Sequence, residues 1–101
     1  MTEKTILELI NQLFEIEKRQ LQFSYDKIER NISRIKFLMD ESGYTYSNPL
    51  GEVYTDTRTD CDATILNDTM PMIISEVIKP IIFWKEGDKQ LIVQQGRVII
   101  G

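Results

Sequence analysis

MTEKTILELINQLFEIEKRQLQFSYDKIERNISRIKFLMDES, residues 1–42, contains neither glycine nor proline. The remaining 59 of the 101 residues hold all five glycines and all three prolines. Those two residue types are the strongest helix breakers, so the stretch reads as one long N-terminal helix, with a turn-rich part after it. At 1.5 Å per residue such a helix runs to roughly 60 Å, more than a domain of this size spans. The expected fold class is α+β: a long N-terminal dimerising α-helix followed by a small, mostly antiparallel β module.

The helix ends are marked. Thr5 and Glu8 have capping-box spacing, with Thr2 as an earlier alternative, and Gly43 is a left-handed stop after Asp40, Glu41 and Ser42. Between them Leu21, Tyr25, Ile28, Ile32, Ile35 and Met39 follow a 4-3-4-3-4 spacing, the seam of a coiled coil. Ile6, Ile10 and Leu13 keep the same rhythm one residue out of register, and Glu15 to Gln20 absorb the slip. On an eleven-residue period Ile10, Leu21 and Ile32 align, which predicts nearly straight pairing. A β module this small cannot cover such a helix, so a homodimer is expected, with Ile10, Leu21, Tyr25, Ile28, Ile32, Ile35 and Met39 at its interface and the two helices parallel.

Residues 43–51 read as a linker and 52–101 as the β module. Candidate strands are Glu52–Thr55, Cys61–Leu66, Met72–Lys79, Ile81–Lys85, Gln90–Gln94 and Arg97–Ile100, rich in β-branched and aromatic residues and separated by turn chemistry. Glu86-Gly87-Asp88 is the best hairpin signal, and Pro80 marks a bend or an edge position.

Net charge is −4, from 12 basic and 16 acidic residues. No basic cluster suggests a nucleic-acid footprint, so no nucleic-acid partner is expected. The start is mixed in charge and does not read as a signal peptide. No apolar run approaches the ~20 residues needed to cross a bilayer; a cytoplasmic protein without a membrane partner is the expectation. Cys61 is the single cysteine and there is no histidine, which removes a disulfide framework and the commonest general base. Asp56, Asp60, Asp62 and Asp68 form an acidic cluster, but the calcium-loop pattern is missing, so solvated turn residues are expected rather than a metal site. No nucleophile–base pair stands out; the chain is not expected to be an enzyme or to carry a cofactor.

Trp84, with Phe83 and Lys85, is a large aromatic beside a hairpin turn with charged neighbours. It suits a protein-binding surface or an anchor packed on the helix, and the pattern leaves both open.

A family resemblance rests on the last third. Glu76-Val77-Ile78-Lys79, an apolar pair, Gly87-Asp88 and the ending Leu91 through Gly101 resemble the run "EVLQKGY…GDRVLRPARVVV" of GrpE, the nucleotide-exchange factor of DnaK-type chaperones. Upstream, Gly51-Glu52-Val53-Tyr54 and then Asp62-Ala63 are similar to that family's "GxxFDPxxHEAV". The match covers about 50 residues and the helix-first layout. The departures are Thr55-Asp56 for Asp-Pro, no histidine, Pro80-Ile81 for Gly-Tyr, Gln94 for the "LRPA" arginine and Gln95-Gly96 for its Pro-Ala. The family's short bundle helices have no room between Ser42 and the β module. The resemblance implies a cochaperone whose β module wedges against the nucleotide-binding domain of a DnaK-type ATPase and favours its open, nucleotide-poor state. Its implied contacts are Lys89 and Gln94, with Trp84, Lys85 and Arg97 nearby. The alternative is a structural or adaptor coiled-coil protein whose β module docks another assembly without exchange activity.

Overall fold

A computed structural model of the chain describes residues 2–23 and 28–101, the side chains of residues 22 and 23 excepted. It divides into two compact units, Met1–Thr45 and Tyr46–Gly101. The fold is α+β, with two helices followed by six short strands in two sheets.

In the first unit the expected single helix is two: α1, Glu3–Phe23, and α2, Glu29–Glu41. Lys36 Nζ lies 3.1 Å from Glu17 Oε2. Nineteen residues along one straight helix would hold those positions about 28 Å apart, so α2 folds back beside α1. The physical reason lies in the stripe. A helix extended to ~60 Å offers its apolar seam to water, whereas two helices side by side bring its two halves together. Ile6, Ile10 and Leu13 of α1 line one groove of about 320 Å³ with Ile35, Leu38 and Met39 of α2. The one-residue slip at Glu15 to Gln20 lies inside α1 and marks no boundary between the helices.

The caps are local and follow the sequence closely. Thr2, rather than Thr5, starts α1: the Thr5 amide donates to Thr2 Oγ1 at 3.2 Å, and the Ile6 amide to the Thr2 carbonyl at 3.1 Å. Such a cap contributes about 1 kcal/mol. α2 stops at Gly43, whose φ of 97° suits a residue without Cβ and whose amide reaches the Asp40 carbonyl at 2.9 Å.

The segment expected as a linker contains a strand, β1 (Tyr44–Ser47). Its Tyr-Thr-Tyr run is β-competent, but four residues are too few for alternation to show. β2 (Cys61–Ile65), β3 (Ile74–Lys79), β4 (Ile81–Glu86), β5 (Lys89–Gln94) and β6 (Gly96–Ile100) follow. The Glu52–Thr55 candidate is reduced to one bridge, Val53 with Ile73.

The sheets are ordered β1-β4-β5 and β2-β6-β3. β4 pairs antiparallel with β5 and β3 with β6, while β2 runs parallel to β6. Residues 74–100 thus form one long hairpin, bent between Lys79 and Ile81 on one arm and between Gln94 and Gly96 on the other. Pro80 is buried at the first bend, and Gln94 Nε2 donates to its carbonyl at 3.0 Å. Gly96 makes the second bend possible: a Cβ there would stand 2.9 Å from Ile81 Cγ1 and 3.4 Å from Cys61 Sγ. Alternation along β6 buries Gly96, Val98 and Ile100. With Ile74, Val77, Ile81 and Ile82 they make the core of this unit.

Candidate functional site

The β4–β5 hairpin carries most of the partner-binding residues expected from the sequence. Its turn is closed by the pair Glu86 and Lys89. Gly87 sits at φ 63° with nothing within 4 Å of where a Cβ would be, so backbone conformation alone calls for glycine.

Pairing then sorts the side chains by face. Trp84 opposes Leu91 and Glu86 opposes Lys89; on the other face Phe83 opposes Ile92 and Lys85 opposes Gln90. Each face thus carries an aromatic–aliphatic pair, with a charged or polar pair nearer the turn. Trp84 and Phe83 are half-buried, and Leu91 and Ile92 are 43% and 42% exposed. Apolar area left open beside cations on a rigid hairpin is suited to gripping another protein. Among the described residues neither Lys85 nor Lys89 has a salt-bridge partner within 4 Å.

The other two expected contacts stand apart. Gln94 is at the base of the hairpin, half-buried, its amide on the Pro80 carbonyl. Arg97 is in the other sheet, where it pairs in register with Asp62 and Lys79 and reaches Asp62 Oδ2 at 3.5 Å. Both partners of that ion pair are more than half exposed, so it adds little stability.

The expected dimer residues are also divided. Ile10 and Ile32 are buried, Ile28 and Met39 half-buried, and Ile35 and Leu21 exposed. Ile10, Ile35 and Met39 line the groove within the hairpin of α1 and α2, so part of the seam is used inside one chain. Tyr25 lies outside the described residues.

Of the acidic cluster, Asp60 is held by Arg58, a residue without a role in the sequence expectations, while Asp62 pairs with Arg97. The Arg58 guanidinium donates to both Asp60 oxygens (Nε to Oδ1 at 2.6 Å, Nη2 to Oδ2 at 3.3 Å), to Glu52 Oε1 at 2.8 Å and to the Val53 carbonyl at 3.1 Å. The hydrogen bond from Arg58 holds the Asp60 carboxyl below its usual range, and that bond in turn raises Arg58. The Asp60 carbonyl accepts the Gly96 amide at 2.9 Å. Arg58 thereby ties the 52–60 loop to the start of β6. An arginine six residues after one acid and two before another, in a turn-rich segment, is the signal that was available. Burial, with the Asp60 charge, pushes the Cys61 thiol up to about 11, so it is protonated at neutral pH and inert. Among the described residues no group of three or more His, Cys, Asp or Glu side chains is placed to hold a metal ion, and no helix is long and apolar enough to cross a membrane.

Comparison of the chain with protein-family models, with curated proteins and with solved structures returned no match.

Proposed function

We propose that this chain is a GrpE-like cochaperone: a cytoplasmic, homodimeric, non-enzymatic factor that speeds nucleotide release from a DnaK-type ATPase through its β unit. One observation carries the reading. The segments that resemble the family (51–54, 62–63, 76–79, 87–88 and 91–101) fall within one compact unit, and several sit where its shape is decided. Gly87 makes the hairpin turn, Asp62-Ala63 lies on β2, and 91–101 forms β5 and β6. The β4–β5 hairpin, with Trp84, Lys85 and Lys89, is the part that would enter the ATPase cleft. Binding that prefers the open cleft lowers nucleotide affinity by linkage. Stopped-flow release of a labelled nucleotide from DnaK-type ATPases is expected to accelerate on adding the protein. No acceleration with any of them, and no complex by gel filtration, would sink the reading.

The homodimer is supported by apolar surface on the helical unit. Leu9, Leu21, Ile35, Phe37 and Leu38 are about half exposed or more. Two helices cannot cover both their apolar sides, and two such hairpins can pair as a four-helix bundle. Melting is expected to rise with protein concentration and to lose that dependence in the double variant Leu21→Asp, Phe37→Asp, at exposed positions outside the groove between α1 and α2. Concentration-independent melting of the wild type would refute the dimer.

A second reading, an adaptor without exchange activity, is favoured by Gln94. The family's arginine is replaced there by a side chain already committed to the Pro80 carbonyl. A pull-down returning only a partner that is not an ATPase would select it.

A further inference from the structure

One side of α2 is used within the chain and the other is bare. Ile32 is buried, and Ile28, Lys36 and Met39 are half-buried. On the opposite side Arg30, Arg34, Phe37 and Glu41 follow a 4-3-4 spacing, which is one stripe of a helix, and all four are exposed. Phe37 is 52% exposed, with the Arg34 guanidinium 5.5 Å from its ring centre. Leu38 borders the stripe, also about half exposed. Among the described residues neither Arg34 nor Glu41 has an ion-pair partner within 4 Å.

The charge along α2 runs against its own backbone dipole. After Glu29, the cations Arg30 and Arg34 lie in the first two turns, while Asp40 and Glu41 lie in the last, which holds no basic residue. A helix N-terminus favours anions and a C-terminus favours cations, so this order weakens α2 taken alone. A second α2 running the other way reverses the balance, because its cations come to the acidic end and its acids to the cationic end. The spacing is self-complementary too. Arg34 and Glu41 stand equally far from the midpoint between Phe37 and Leu38. A two-fold axis there sets Arg34 of each copy against Glu41 of the other, twice, with the Phe37 rings beside the axis. Parallel helices would set arginine against arginine and glutamate against glutamate, which repels.

We propose that the outer stripe of α2 is the seam between two copies of this chain, α2 of one packed antiparallel on α2 of the other around Phe37. The seam rests on the homodimer reading above. Its orientation is the reverse of the parallel pairing expected from the sequence.

Two measurements on the full chain test it. In sedimentation equilibrium, Arg34→Glu and Glu41→Arg each bring like charges together at two places. Each is expected to raise the dimer dissociation constant about tenfold. The double variant Arg34→Glu, Glu41→Arg rebuilds both pairs and is expected to recover most of the wild-type affinity, and wild-type pairing is expected to weaken as salt is raised. The second measurement is the distance between nitroxide labels on Glu29→Cys in a Cys61→Ala background, which leaves the stripe intact should a charge variant fail to fold. Glu29 lies about 8.5 positions from the midpoint, so its two copies are expected about 26 Å apart along the axis. Parallel helices would hold them about 10 Å apart. A separation near 10 Å, or a double variant no tighter than the single ones, would overturn the seam and leave the dimer standing. A chain that stays monomeric at every concentration would overturn the dimer and the seam with it.

Discussion

The helical unit and the β unit are built from opposite kinds of information. In residues 1–42 the pattern is continuous and repeats, so every segment reads alike and nothing local says where the chain reverses. In residues 74–100 nearly every reversal carries its own residue: Pro80 at one bend, Gly87 at the turn, Gly96 at the other bend. Periodicity names an element and its buried face, while punctuation names its neighbours. The first unit has periodicity without punctuation, and there the number of helices was misjudged.

The sharpest way to break this contrast is to measure across the helical unit. Spin labels at Leu9 and Leu38, in protein diluted with unlabelled chains, are expected within ~20 Å of each other. A continuous helix would set them about 43 Å apart, and that result would restore the single helix. The next largest effect is expected in the β core. Ile82 is fully buried, so Ile82→Ala is expected to cost about 3–4 kcal/mol in urea unfolding. Ile35→Ala, at a half-exposed position of α2, is expected to cost far less in dilute protein.

Arg58 tests whether the loop before β2 depends on its clamp. Arg58→Ala is expected to cost about 2 kcal/mol, the range for hydrogen bonds to charged groups, and to leave the far-UV spectrum largely intact. The same clamp predicts an acid response. Asp60 has a folded pKa below its unfolded value near 3.8. Its contribution is therefore full above that value and lost as pH falls through the depressed one, a slope that Asp60→Asn should abolish. Cys61 gives the opposite sign. Its folded pKa is raised from 9.0 to about 11, so stability is unaffected below pH 9 and declines toward 11, unless Cys61→Ala removes the thiol. The smallest effect concerns the helix start: Thr2→Ala is expected to cost about 1 kcal/mol or less, read from α1 helicity by circular dichroism.

Of the strands, five of six were legible within a residue or two, because β-branched runs bounded by Gly, Pro and Asp are a local code. β1 was not, since Tyr44–Ser47 is too short to alternate visibly. In the candidate site, Trp84, Lys85 and Lys89 were placed together because a two-residue turn sets their register. Gln94 and Arg97 were not separable from them by eye: the bend that divides the sheets needs the contact between Gly96 and Ile81, which joins residues 15 apart. Arg58 escaped because an arginine's partners depend on how its loop closes.

The glycine- and proline-free opening determined by itself that residues 3–23 and 29–41 are helical and, with Gly43, where the second helix stops. The later punctuation determined the hairpin and its bends. Only tertiary structure decided that α2 folds back beside α1, that Asp60 belongs to Arg58 and that residues 51–54 lie against residues 72–74. The physical reason is common to all three. Caps and turns are settled by bonds among residues a few positions apart, whereas burying a seam, closing a loop or pairing two segments is a choice among distant partners, made by which arrangement removes most apolar area and leaves fewest polar groups unpaired.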